Sequence, residues 1–125
     1  MVLVDTSVWI RFLANQAPFA AALDALLCRD EVVGHELIYG ELLIGDRGGR
    51  KNLLALYEQM RQAIIVPRRE VVALVRSRRL HGRGVGWIDV HLLAAAIVTR
   101  SQLWTADRRF GAVVKECQIA FEPEA

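Results

Sequence analysis

The feature that most constrains this chain is an alternation. Short apolar runs, Val2–Val4, Val32–Val33, Ile64–Val66, Leu103–Trp104 and the weaker Ile119–Phe121, are separated by stretches with helical periodicity. The runs are brief and show little polar alternation, as strands covered on both faces should. The intervening stretches predict helices over about Ser7–Ala14, Phe19–Arg29, Glu36–Ile44, Lys51–Arg61, Glu70–Leu80, Ile88–Arg100 and Arg108–Lys115. Pro18 and Pro67 sit just before helices, where a missing N–H costs little. "GDRGG" (Gly45–Gly49) and "HGRGVG" (His81–Gly86) read as loops. Strand-then-helix order implies an α/β domain with a mostly parallel sheet of about four to five strands, flanked by helices on both faces.

Composition narrows the function. With 125 residues and 54% apolar content, the chain can bury a core and is not disordered; we read residues 1–125 as one domain. The longest apolar run, "LLAAAIV", is far too short to cross a bilayer, and Asp5 breaks the N-terminus before a signal-peptide core could form, so a cytoplasmic protein is expected. Cys28 and Cys117 lie far apart without a CxxC and read as free core thiols. The net charge is only +2, yet 14 of the 16 basic residues are arginine. Arg68, Arg69, Arg76, Arg78, Arg79 and Arg83 crowd into one stretch. The guanidinium fork suits phosphate, so this stretch is a candidate nucleic-acid contact; the competing reading is a solvated helix face.

In a parallel α/β sheet, ligands bind beyond the carboxyl ends of the strands. Asp5 follows "VLV" at such an end, and Asp107 lies three residues past "QLW". Each has a modest alternative as a helix cap, although Thr6 and Ser7 are also available to cap after Asp5. Glu41 stands among Leu37, Ile38 and Ile44 on one helical stripe, where a carboxylate is costly unless something meets it. Asp89 opens a nearly all-apolar helix and has a strong alternative as a first-turn acid that complements the helix dipole. His91 reads as a satisfied or exposed histidine. Taken together, the acids form a pattern. Carboxylates brought close repel unless a cation joins them, and oxygen-only donors favour a hard ion such as Mg²⁺. Such a site beside arginine suits phosphodiester hydrolysis.

The ordered motifs "VDTS", "ELLIG", "WIDVHLLAAA" and "LWTADRRF" resemble the PIN domain, in particular the toxin nucleases of VapBC toxin–antitoxin pairs. The resemblance spans essentially the whole chain. It implies a PIN-like fold and a Mg²⁺- or Mn²⁺-dependent endoribonuclease. It carries the acidic quartet onto Asp5, Glu41, Asp89 and Asp107, with Asp5, Asp89 and Asp107 as metal ligands and Glu41 orienting water or binding a second ion. Ser7 and Thr105 match supporting hydroxyl positions. Arg76, Arg78, Arg79 and Arg83 become candidate RNA contacts. A homodimer and a small VapB-like antitoxin are the implied partners. One departure is "VH" after Asp89, where an apolar pair is usual. The alternatives are a PIN-like module that binds RNA or protein without cutting, and a PIN nuclease of RNA processing outside any toxin pair. A receiver domain would need adjacent acids after the first strand, and a haloacid-dehalogenase-type phosphatase an Asp-x-Asp; Thr6 and Ser7 fit neither.

Overall fold

The fold was obtained as a computed structural model, which describes residues 1–123. The described elements run β1 (Val2–Val4), α1 (Thr6–Leu13), α2 (Phe19–Cys28), β2 (Val32–Val33), α3 (Glu36–Ile44), α4 (Lys51–Gln59), α5 (Arg68–Ser77), α6 (Trp87–Thr99), β3 (Gln102–Trp104) and α7 (Arg108–Glu116). The helices begin and end within two or three residues of the positions that periodicity predicts.

The strands form a parallel sheet in the order β2–β1–β3. Leu3 lies between Val33 on one side and Leu103 on the other. Val2, Leu3 and Val4 are all buried, although successive side chains of a strand point to opposite faces. Both faces of the sheet are therefore covered, and the absence of alternation in the sequence has its physical cause.

The sheet is smaller than expected, with three described strands instead of four or five. Ile64–Val66 is not a strand. The chain touches the β2 side once, through a bridge between Gln62 and Gly34, after which Ile64 and Ile65 stand half exposed and Pro67 starts α5. Ile119–Phe121 likewise contributes one bridge, Ala120 against Leu103. Apolar runs of three residues cannot report whether a partner strand lies alongside.

The core centres on Trp9, Tyr57, Phe110, Leu92, Leu93 and Ile38, all fully buried. Each such side chain contributes about 1.5–3 kcal/mol by leaving water. Helix α6 is interior: Val90, Leu92, Leu93 and Ala94 through Ala96 are buried around nearly its whole circumference. The thiols depart from expectation. Cys28 is exposed at the end of α2 and Cys117 only partly buried after α7; both are free. No helix among the described residues is long and apolar enough to cross a membrane.

Candidate active site

Each strand runs directly into a helix N-terminus at the carboxyl end of the sheet. β1 ends at Asp5, the N-cap of α1; β2 passes through Gly34 to His35, the N-cap of α3; β3 passes through Thr105 to Asp107, the N-cap of α7. Free backbone N–H groups and the positive ends of three helix dipoles thus face one region, where they favour negative charge.

Asp5 is buried and held by three donors. Its Oδ1 accepts from the Thr6 N–H at 2.8 Å, and its Oδ2 accepts from the Ser7 and Thr105 hydroxyls, each at 2.8 Å. The orientation of those hydroxyls is fixed from behind. Ser7 Oγ accepts the Ala106 N–H at 3.0 Å, and Thr105 Oγ1 accepts the Asp107 N–H at 3.0 Å. Each hydroxyl has one hydrogen to give, and Asp5 receives both. A carboxylate offers about four acceptor directions. Three are used, and one remains for a further donor or a cation.

Capping and site-building therefore coexist. Thr6 and Ser7 were available as caps, yet Asp5 is the cap, while Ser7 donates to Asp5 itself and Thr6 turns to α3. Thr6 Oγ1 donates to Glu41 Oε1 at 2.6 Å, which ties α3 to the end of β1. This bond answers how Glu41 is tolerated on a largely apolar helix. Thr6 was not singled out as a site residue from the sequence. The signal was present in "VDTS", three consecutive polar residues after a buried strand, but nothing local says that the middle one reaches 35 residues along the chain.

Asp89 and Asp107 also serve their own helices. Asp107 Oδ1 accepts the Phe110 N–H at 2.8 Å. Asp89 Oδ2 reaches back to the Gly86 N–H at 3.0 Å, which is the first-turn role that its sequence position suggests. The Asp89 carboxyl is pushed above the usual carboxylate range. Burial is the main cause; the negative charges of Asp5, Asp107 and Glu41 add to it, and the Gly86 N–H opposes it. The charges of residues 5, 41 and 107 therefore all reach the carboxyl of residue 89. The four acids do not form a finished cage: among the described residues, no three carboxylate, histidine or cysteine groups close on a common point. The donor chemistry, carboxylate and hydroxyl oxygens only, fits a hard divalent cation.

The arginines divide. Arg83 is paired with Glu116, its Nη1 at 2.8 Å from Oε1. Arg78 shares a hollow with Arg100 and Cys117 near the end of α7. Asp107 marks the other end of that nine-residue helix, about 13 Å away at 1.5 Å per residue. Arg76 and Arg79 are exposed at and just beyond the last turn of α5.

The strand-end acids, the hydroxyl pair and the α6 acid define a class: the chain belongs to the PIN domain family, whose profile matches residues 2–116. Among individual proteins, it is 41% identical over 125 residues to Ribonuclease VapC32 of Mycobacterium tuberculosis, from both strain CDC 1551 / Oshkosh and strain ATCC 25618 / H37Rv, covering 99% of this chain and 98% of the relative.

Proposed function

We propose that this chain is a VapC-type toxin: a metal-dependent endoribonuclease that cleaves RNA phosphodiester bonds and is held in check by a VapB-like antitoxin. The observation that carries the reading is the hydrogen-bonded junction of Asp5, Ser7 and Thr105, with Glu41 tied in through Thr6. A helix cap alone needs none of these long-range bonds. The likeness to a ribonuclease over nearly its full length supports the same reading.

Asp5, Asp89 and Asp107 would hold Mg²⁺ or Mn²⁺. When bound, that ion supplies Lewis-acid polarisation of water and of the scissile phosphate. The protein's own groups do the rest. Ser7 and Thr105 fix the Asp5 carboxylate, so its remaining acceptor direction is set before ligand arrives. Glu41, held by Thr6, orients the attacking water. Asp89, whose negative charge is disfavoured by burial and by its neighbours, gains most from a nearby cation. No histidine is needed as general base. Arg76, Arg78 and Arg79 contact RNA phosphates outside the site, and Arg83 lies on the loop that leads to Asp89. The 125 residues work as one domain, in the cytoplasm, and as a homodimer.

The test is cleavage of RNA by purified protein with Mg²⁺ or Mn²⁺, with and without EDTA. Cleavage should stop on chelation and in Asp5→Asn protein. Cleavage that survives either condition removes the metal mechanism. A PIN module that only binds would leave RNA intact under all conditions.

A further inference from the structure

A cleft of about 510 Å³ opens beside Asp107. Its floor is the end of β3, and its edge includes Thr105 and Asp107, so it adjoins the candidate active site directly. Its walls are aromatic. Trp104 lies between Phe19, with ring centroids 6.0 Å apart and nearly parallel, and Phe121, at 5.0 Å. Trp104 is only 3% exposed, so this wall is anchored in the core. Two cations, Arg108 and Lys115, stand exposed on the α7 side, and Lys115 pairs at 3.7 Å with Glu122 of the same cleft. On that side Gly111 and Ala112 carry no bulk, which keeps the hollow open.

Apolar rings within, cations outside and acids alongside match the parts of a nucleotide chain. We propose that the cleft is a base subsite: a nucleobase next to the scissile phosphate inserts against Phe121, the half-buried ring that Trp104 backs, while Arg108 holds a flanking phosphate. This rests on the nuclease reading. Every base has an aromatic face, so such a subsite draws single-stranded RNA into register without strict sequence choice. The volume lies in the range of small-ligand pockets, suiting one ring system better than a helix of a protein partner.

The test uses the full chain and a pool of random-sequence, single-stranded oligoribonucleotides. Ala112→Trp fills the cleft from an exposed helical position; Phe121→Leu keeps bulk but removes the ring. Each should raise KM about tenfold and leave kcat roughly unchanged, because base stacking lost on binding is lost equally in the transition state. In EDTA, oligoribonucleotides carrying 2-aminopurine should be quenched by the wild type and not by Ala112→Trp. Unchanged KM in both variants overturns the subsite while leaving the nuclease intact. If the wild type does not cut RNA, the nuclease reading fails and quenching decides the cleft alone: quenching abolished by Ala112→Trp supports base binding, and its absence from the wild type overturns it. If Ala112→Trp leaves RNA kinetics unchanged and instead weakens capture of a purified antitoxin, the cleft is a protein-docking groove and the proposal is wrong.

Discussion

Asp5 and Asp89 are the same residue type at opposite extremes. Asp5 is buried, caps α1, and accepts three hydrogen bonds, two of them from hydroxyls that are themselves held by backbone N–H donors. Asp89 is half-buried, accepts one bond from Gly86, and carries the unfavourable field of three other acids. The first carboxylate is built into the frame and the second is held at its edge. On the proposed metal reading the site gains from both: a fixed oxygen to define position, and a destabilised one for which an ion would bring the greatest relief.

The largest effect expected from breaking this contrast is at Asp5. Asp5→Ala removes a cap and leaves the Ser7 and Thr105 hydroxyls without their acceptor, costing about 2–4 kcal/mol. Urea unfolding should show the loss together with abolished cleavage, whereas Asp5→Asn should abolish cleavage at a smaller cost in stability. Equal, negligible costs for both would mean that the junction does not hold the frame.

At Asp89 the sign should reverse. Its carboxyl has a raised pKa in the fold, so its contribution to stability is fully present below the unfolded-state value near about 3.9 and is lost as pH rises through the folded value. In metal-free buffer, Asp89→Asn should therefore be more stable than the wild type at neutral pH, and the difference should vanish in acid. It should also fail to cut RNA. A thermal midpoint that falls at neutral pH would make Asp89 simply the first-turn cap of α6.

This contrast also explains what could be read from the chain. Asp5, Glu41, Asp89 and Asp107 stood out as candidates because each is an acid in a place that a purely structural sequence seldom needs one: a strand end, an apolar stripe, the mouth of a buried helix. The helices were legible because α1, α5 and α7 repeat apolar residues at helical spacing. The extent of the sheet was not, since Ile64–Val66 is as apolar as a strand and yet Ile64 and Ile65 stand half exposed outside it. Nor was the Thr6–Glu41 bond, a tertiary contact with no local pattern. His35 was passed over for a similar reason. Its neighbours "VVGHE" give no hint that the imidazole would cap a helix.

His35 offers a control at the third strand end. It is fully buried, its Nδ1 accepts the Leu37 N–H at 3.0 Å, and burial followed by the charge of His91 lowers its pKa. The neutral ring is what the fold requires. Stability linked to His35 should be fully present above the unfolded-state value near about 6.5 and lost as pH falls toward the lowered folded value. His35→Asn, which keeps an acceptor near the Nδ1 position, should flatten that loss in pH-dependent thermal unfolding. A variant with the wild-type acid limb would place the effect elsewhere.

The smallest contrast is among the arginines. Replacing Arg78 and Arg79 with Ala should weaken RNA binding and reduce its salt slope by up to about two. Arg83→Ala should change the slope less, because Glu116 already neutralises that charge. Identical slopes in all three proteins would return the cluster to a solvated surface.

The most direct measurement is anomalous diffraction from crystals soaked in Mn²⁺. The account predicts a peak bounded by Asp5, Asp89 and Asp107, with at least two of their carboxylate oxygens within about 2–2.5 Å of it. A peak elsewhere, or saturating Mn²⁺ with no density between these acids, would contradict it.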